Sequence, residues 1–141
     1  METRPHGEVL AVDNGIWLAG LVYGGSAEEL IKLGITGRVS LVTCESLLEE
    51  LVQILRDVLL FSEAAIEQVR VFIDECAEIL RDGGSVAHLN GHRAVPAAGP
   101  FLQHPVLELA TRSQATAIAT TERSPLTSLG DWQGIPIIPM A

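Results

Sequence analysis

Short, mostly apolar runs alternate with amphipathic stretches along much of the chain. Residues 8–12 and 39–42 are such runs, and they are typical of strands that are covered on both faces. The segments that follow them repeat apolar residues at intervals of three or four, which is the spacing of an amphipathic helix. Short strands that alternate with helices predict an α/β fold with a mostly parallel central sheet.

The same patterns predict the remaining elements, with one ambiguity. Residues 16–22 fit a short helix about as well as a second strand, because periodicity alone does not separate the two over so few residues. Helices are predicted from Ser26 to the glycines at 34 and 37, around Leu47–Leu55, from Ser62 to Asp82, over Pro105–Thr111 and after Ser124. Strands are predicted near Ser85–Leu89, at Ala115–Ala119 and at Ile135–Ile138, the last as an edge strand that tolerates proline.

The stretch VLAVDNGIWLAG places Asp13, Asn14 and Gly15 between two apolar runs. Asn-Gly in this setting is a strong hairpin signal, and the alternative is a buried strand that ends by presenting Asp13 to a ligand. A hairpin would make the first strand antiparallel to its neighbour, so the α/β pattern favours the alternative. Ligands of such folds bind beyond the carboxyl ends of the strands, which makes Asp13 the first candidate site residue.

Composition limits the class of protein. A chain of 141 residues with 48% hydrophobic residues is expected to form a single globular domain over residues 1–141. The start METRPHGEVL lacks the apolar segment of a signal peptide, and the apolar runs are too short to span a bilayer, so a cytoplasmic protein without a membrane partner is expected. Cys44 and Cys76 are predicted to be small buried side chains.

Charge and the acidic residues indicate a different kind of site from a basic nucleic-acid surface. The net charge of −9 argues against broad electrostatic binding of nucleic acid, but it leaves room for an acidic metal cleft with a small basic rim. The acidic candidates near predicted strand ends are Asp13, Glu45, Glu49, Glu50 and Glu122. Carboxylates that converge on one cleft repel each other unless a cation such as Mg²⁺ neutralises them. The alternative is that the glutamates are solvated surface charges.

These residues resemble a known family. The run VLAVDNGIWLAGLVYGGSAEELIKLGITGRVSLVTCESLLEELVQIL resembles the opening half of PIN-domain proteins, and VLELATRSQATAIATTERSPLTSLGDWQGIPIIPMA resembles their ending. The resemblance covers nearly the whole chain and rests on the order and spacing of elements. It implies a three-layer α/β/α fold in which acidic side chains at the carboxyl edge of the sheet hold Mg²⁺ or Mn²⁺ and cleave single-stranded RNA. Many bacterial members are the toxins of toxin–antitoxin pairs.

The resemblance assigns catalytic and metal-binding roles unevenly. Asp13 matches the first acid, Glu50 the second with Glu49 as an alternative in register, and Glu122 the fourth, in Thr-Thr-Glu where the family has Thr-Gly-Asp. The third acid is missing, and Gln103 and His104 are the residues nearest its expected place. Asn14-Gly15 stands where the family has Thr or Ser followed by Asn, which removes a polar group that supports the metal shell.

The expected function follows from these losses. Metal sites work by accurate placement of ligands and their supports, so a PIN-like domain with impaired or lost nuclease activity and a residual binding or regulatory role is predicted. The alternative is an active, metal-dependent, single-strand-specific endoribonuclease that uses Asp13, Glu50 and Glu122. RNA, an antitoxin-like protein and further copies of the chain are the expected partners, and Arg112 and Arg123 are candidate RNA contacts because arginine binds phosphate bidentately.

Two other interpretations are weaker. A phosphoacceptor receiver domain shares the apolar strand that ends in an acidic turn, but it needs a lysine after its last strand, and Lys32 is the only lysine in the chain. His88 and His92 have the spacing of metal ligands on one helix face, but Asn90-Gly91 between them favours a loop.

Overall fold

The computed structural model describes residues 8–81 and 104–140. The strands are β1 (Glu8–Val12), β2 (Val39–Cys44), β3 (Ala77–Leu80), β4 (Ala117–Thr121), β5 (Asp131–Trp132) and β6 (Ile135–Met140). The helices are α1 (Asn14–Leu18), a π-helix that continues it (Ala19–Tyr23), α2 (Ser26–Ile35), α3 (Glu45–Asp57), α4 (Glu63–Cys76), α5 (Pro105–Ser113) and a 3-10 helix (Pro125–Leu129).

The strands of the described residues form one sheet in the order β3-β2-β1-β4-β6-β5. Strand β1 lies in the interior and pairs in parallel with β2 and β4, so that Leu10 is opposite both Leu41 and Ala117. The short β5 is antiparallel to β6, whereas the other pairs are parallel. The predicted α/β fold with a mostly parallel sheet is therefore confirmed, and a hairpin at Asp13 is excluded.

Helices cover both faces of this sheet and give a three-layer α/β/α arrangement. Alternate residues of β1 point to opposite faces, as a strand requires: Leu10 and Val12 belong to one buried cluster and Ala11 to the other. The first cluster packs β1 against α1, α2, α3 and α4. The second packs the opposite face against α5 and the 3-10 helix. Strands covered in this way show the nearly continuous apolar runs from which they were predicted.

The stretch that fitted either a helix or a strand is helical. Helix α1 begins directly after Asp13 and passes into the π-helix without a break. Gly20 in the π-helix lies so near α2 that a Cβ at this position would be 2.5 Å from Ile31 Cδ1. Within residues 8–81 and 104–140, the helices are all too short or too polar to cross a bilayer.

The predicted long helix from Ser62 to Asp82 is wrong in its second part. The helix starts as predicted, with Ser62 Oγ accepting from Ala65 N–H. It ends at Cys76, and Ala77 takes an extended conformation (φ −145°, ψ 156°) that begins β3. The apolar spacing of three or four continues through Ile79, but pairing with β2 overrides this local pattern. The strand predicted near Ser85–Leu89 lies outside the described residues.

The end of the chain follows the predicted order with shifted limits. Strand β4 lies two residues further along than predicted, because Gln114 adopts a left-handed conformation (φ 55°) after α5. Ser124 caps the 3-10 helix by accepting from Leu126 N–H. Strand β6 was predicted to be an edge strand, but β5 pairs with its first residues. A strand of two residues is too short to show a hydrophobic pattern, so its pairing at the edge of the sheet could not be predicted from the sequence.

Candidate functional site

Asp13 lies at the carboxyl end of β1, in the interior of the sheet. Its backbone N–H donates to Ala119 O at 3.0 Å, which extends the pairing with β4 by one residue. Asp13 is also the N-cap of α1, with an extended backbone (φ −75°, ψ 155°). The chain therefore changes from strand to helix at this aspartate, and its half-buried side chain lies at the edge where α/β folds bind ligands.

Each oxygen of the Asp13 carboxylate accepts a hydrogen bond. Asn14 N–H donates to Oδ1 at 2.9 Å, and Thr120 Oγ1 donates to Oδ2 at 2.8 Å. Thr120 is completely buried, so its hydroxyl depends on a partner within the protein. The second bond joins residues 107 positions apart in sequence and ties the end of β4 to the end of β1.

Asn14 is buried and links α1 to the first turn of α3. Its Nδ2 donates to Leu47 O at 2.8 Å, and only 7% of the residue is exposed. Within the described residues, Asn14 Oδ1 and Trp17 Nε1 are the buried side-chain polar atoms without a hydrogen-bond partner. From the sequence alone, Asn14 marks only the loss of a supporting group. In the structure, its amide contacts α3, the helix that carries Glu50.

Gly15 allows β4 to approach α1 closely. A Cβ at this position would lie 2.9 Å from Thr121 Cγ2 and 3.2 Å from Thr121 Oγ1. The first of these separations is shorter than real Cβ contacts, so a larger residue would displace Thr121 or the helix. Three consecutive residues thus contact neighbouring elements: Asp13 contacts Thr120, Asn14 contacts Leu47, and Gly15 contacts Thr121.

The other predicted acids have a different environment from Asp13. Glu49 and Glu50 are exposed on α3, and Glu45 is exposed at its start. Glu122 is exposed directly after β4, and its backbone N–H donates to Met140 O at 3.1 Å. The strand ends therefore bring Asp13 and the backbone of Glu122 to the same edge of the sheet.

The described residues do not by themselves supply a cation site of three carboxylates. Across residues 8–81 and 104–140, no three or more His, Cys, Asp or Glu side chains are grouped so that they hold a metal ion. Gln103 lies outside the described residues, and His104 is the N-cap residue of α5 without a side-chain capping bond. The assignment of Asp13, Glu50 and Glu122 to a Mg²⁺ or Mn²⁺ site stays a prediction.

The two candidate RNA contacts lie on different elements. Arg123 is exposed in the turn after β4, next to Glu122, and this turn is closed by Ser124 N–H donating to Thr121 O at 3.0 Å. Arg112 lies in the last turn of α5 and donates to the backbone carbonyl of Arg81. Of these two arginines, Arg123 is therefore the one that lies close to the carboxyl end of a strand. His88 and His92 lie outside the described residues.

Both cysteines are buried and unbridged. Cys44 is the N-cap residue of α3, with its Sγ 3.5 Å from Ser46 Oγ. Burial raises the pKa of the Cys76 thiol from its ordinary 9.0 to about 11, so this thiol is protonated at neutral pH. The prediction of small buried side chains agrees with these positions.

Thr120 is the site residue that the sequence did not reveal. The strand predicted at Ala115–Ala119 stops one residue short of it, whereas β4 continues to Thr121 and buries its first four residues. Val12 is opposite Ala119 in the pairing of β1 with β4, which places Thr120 beside Asp13. This register is set by long-range pairing, and the apolar run from which the strand was predicted ends before Thr120.

The fold and the edge together define an α/β protein with a hydrogen-bonded aspartate at the carboxyl end of an interior strand. In comparisons with known proteins, no protein-family model and no curated protein matches the chain. Its function is therefore inferred from the geometry of this edge.

Proposed function

We propose that this chain is a PIN-like domain related to the Mg²⁺-dependent endoribonucleases of toxin–antitoxin systems. Its nuclease activity is impaired or lost, and it retains a binding or regulatory role. The observation that carries the proposal is the contrast between the candidate acids: Asp13 is half-buried and hydrogen-bonded at the carboxyl end of β1, whereas Glu50 and Glu122 are exposed.

The order of elements supports the PIN-like part of the proposal. The resemblance to PIN-domain proteins predicts that the chain ends with a helix, a strand, an acidic turn, a leucine-rich short helix and an isoleucine-rich last strand. The chain has α5, β4, the turn at Glu122, the 3-10 helix and β6 in this order. The acids expected at the carboxyl ends of β1 and β4 occupy positions 13 and 122, so the topology agrees with the resemblance at both places.

The chemistry of the donor set supports impaired cleavage. Metal-assisted hydrolysis requires a cation that activates water and stabilises the charge developing on the phosphate. Mg²⁺ is held by carboxylate and water oxygens, and the sequence has no acid between Asp82 and Glu108 where the third is expected. Loss of a single supporting group commonly lowers metal affinity or activity about 10-fold to 100-fold, so the loss of a ligand is expected to cost at least as much.

The residual role that we propose is binding of RNA or of an antitoxin-like protein, with self-association as a further interaction. Arg123 supports an RNA contact because it is exposed at the end of β4 beside Glu122. The net charge of −9 opposes phosphate binding elsewhere on the surface. RNA affinity is therefore expected to be low, to weaken with added salt and to depend on Arg123.

A cleavage assay tests the proposal. Single-stranded and structured RNA labelled with a fluorophore are incubated with the purified chain and Mg²⁺ or Mn²⁺, beside an Asp13→Ala variant purified in parallel. We expect equal, background cleavage by both proteins. Cleavage by the natural chain that disappears in Asp13→Ala would contradict loss of activity.

The same assay evaluates the second candidate function, an active single-strand-specific endoribonuclease. This candidate is favoured by one observation, the placement of Asp13 and the backbone of Glu122 at the same edge through β1 and β4. It requires cleavage of single-stranded RNA that is lost separately in Asp13→Ala, Glu50→Gln and Glu122→Gln. Loss in Asp13→Ala alone, with the variant still folded by circular dichroism, would assign the activity to a site without the two glutamates.

Binding is measured separately from cleavage. Fluorescence anisotropy with the same single-stranded RNA, without divalent cation, gives the affinity of the natural chain and of Arg123→Ala. A matched control is Arg38→Ala, which removes an exposed arginine before β2. The proposed RNA contact requires a weaker complex for Arg123→Ala and an unchanged one for Arg38→Ala, and equal effects of both substitutions would refute it.

A further inference from the structure

We infer that Asp13 acts in this chain as the acceptor of a structural joint that fastens β4 and α3 to the end of β1. The joint consists of Asp13, Asn14, Gly15 and Thr120, and its main effect is on the stability of the fold. This role differs from the one that the family resemblance implies for Asp13, which is a cation ligand. The inference rests on contacts within the chain and does not require the proposed function.

The hydrogen bonds of the carboxylate are the first support. Oδ1 accepts from Asn14 N–H at 2.9 Å and thereby satisfies a backbone donor at the start of α1. Oδ2 accepts from the hydroxyl of Thr120 at 2.8 Å. Both donors lose their partner if the carboxylate is removed, and the hydroxyl of the fully buried Thr120 has no access to water. Leaving a buried donor unpaired costs more than an average hydrogen bond contributes.

The two residues after Asp13 extend the same joint. Asn14 donates from Nδ2 to Leu47 O at 2.8 Å, which fixes the first turn of α3 relative to β1. Gly15 leaves space for Thr121, which follows Thr120 in β4. The strand end, the helix start and β4 are therefore held by one short segment of the chain, and each of its three residues makes a different contact.

The two roles of Asp13 predict opposite signs for the effect of removing it. In a cation site, carboxylates are crowded and repel each other without the metal, so replacing one of them often stabilises the metal-free protein at the expense of function. In a joint, the carboxylate pairs with donors, and replacing it destabilises the protein. Asp13 pairs with two donors, and the described residues contain no group of three or more His, Cys, Asp or Glu side chains that could hold a metal ion. Because metal-bound carboxylates also accept hydrogen bonds, the sign of the stability change on replacing Asp13 is what separates the two roles.

Urea unfolding of the metal-free chain, followed by circular dichroism, tests the inference. For Asp13→Ala we expect the unfolding equilibrium constant to rise about 10-fold to 50-fold, from two lost hydrogen bonds and a buried hydroxyl without a partner. Asp13→Asn keeps one acceptor oxygen, so its expected rise is smaller. The matched control is Asp74→Ala, an exposed aspartate on α4, which should change the constant less than about threefold.

A second variant keeps the test decisive where Asp13→Ala does not fold. Thr120→Val has the same shape and removes the donor instead of the acceptor, so it should destabilise the natural chain about 10-fold. An unfolding equilibrium constant in Thr120→Val equal to that of the natural chain would show that the hydroxyl does not hold β4 to Asp13.

Metal dependence provides the outcome that would overturn the inference. The unfolding curves are repeated with millimolar Mg²⁺ and with Mn²⁺ for the natural chain and for Asp13→Asn. If Mg²⁺ or Mn²⁺ stabilises the natural chain at all, we expect it to stabilise Asp13→Asn to the same extent. A metal-dependent stabilisation that Asp13→Asn removes, or an Asp13→Ala variant at least as stable as the natural chain, refutes the structural role. Cleavage of RNA by the natural chain decides the proposed function independently, because that measurement does not depend on the folding of any Asp13 variant.

Discussion

The close approach of Gly15 to Thr121 gives a prediction whose sign depends on the background. In Gly15→Ala, the new Cβ would lie 2.9 Å from Thr121 Cγ2 and 3.2 Å from its Oγ1. Overpacking of this kind typically costs about 1–3 kcal/mol, and the β-branched threonine has little rotamer freedom to relieve it. Alanine in place of glycine within a helix returns about 0.5–1 kcal/mol. The net expectation is a loss of roughly 0–2.5 kcal/mol in the free energy of unfolding.

The background variant Thr121→Ala removes both atoms that meet the new methyl group. In this background the steric cost of Gly15→Ala is largely absent, and the helical preference for alanine is expected to stabilise the protein by about 0.5–1 kcal/mol. A double-mutant cycle therefore measures a coupling of about 1–3 kcal/mol between positions 15 and 121. Urea unfolding followed by circular dichroism gives the four free energies that the cycle needs.

Equal effects of Gly15→Ala in the two backgrounds would refute the predicted contact between positions 15 and 121. Additive effects would mean that α1 and β4 do not approach each other as closely as the structure shows. A destabilisation in both backgrounds would place the steric conflict at an atom other than those of Thr121. The coupling is the specific observable. The stability change of a single substitution has several causes, whereas the coupling reports the contact between positions 15 and 121.

Three further predictions concern residues away from the carboxyl edge. Leu60 is 78% exposed and has a left-handed backbone (φ 59°), so Leu60→Gly should raise the free energy of unfolding by up to about 1 kcal/mol in a urea titration, and a decrease would contradict the strain. Ser62→Ala removes the acceptor for Ala65 N–H and should lower the same quantity by about 1 kcal/mol, whereas no change would argue against the cap. Burial raises the pKa of Cys76 from 9.0 to about 11. As the pH rises, the unfolded state therefore loses this proton before the folded state does, and the free energy of unfolding should fall between pH 9 and pH 11. The fall should be smaller in Cys76→Ala than in the natural chain. Equal falls in the two proteins would exclude the thiol as the cause.

Much of the fold was predictable because burial on both faces leaves a visible pattern. The run ending at Val12 predicted β1 with its observed limits, and the helical stripe from Leu47 to Leu55 lies within α3. The position of Asp13 followed from the class of fold, since a mostly parallel sheet places successive strand ends at one edge. These predictions use features that repeat over many residues and so tolerate local exceptions.

Strand β3 shows where local periodicity fails. Ile73, Cys76, Ile79 and Leu80 keep the spacing of a helix face, yet the chain is extended from Ala77 onward. The strand has four residues, and its conformation is determined by pairing with β2. Pairing partners are distant in sequence, and no composition signal marks the residue at which helix gives way to strand.

The contacts of the carboxyl edge could not be derived from the sequence for a related reason. Asn14 donates to a backbone carbonyl 33 residues away, and every residue type supplies the same carbonyl, so the acceptor leaves no trace in the sequence. Thr120 reaches Asp13 across 107 residues and was assigned to the turn because the predicted strand ended too early.

The structure also changes what a departure from a family pattern means. Asn14 and Gly15 differ from the residues that the resemblance expects, and from the sequence alone the difference is only a loss. In the fold, the Asn14 amide holds α3, and the missing side chain of Gly15 accommodates Thr121. The family's residue at position 15 would therefore introduce a steric conflict with Thr121. The family's residue in place of Asn14 would break the contact with Leu47. If the proposed function is correct, such substitutions are expected to restore cleavage only together with matching changes in β4 and α3, because both positions contact these elements.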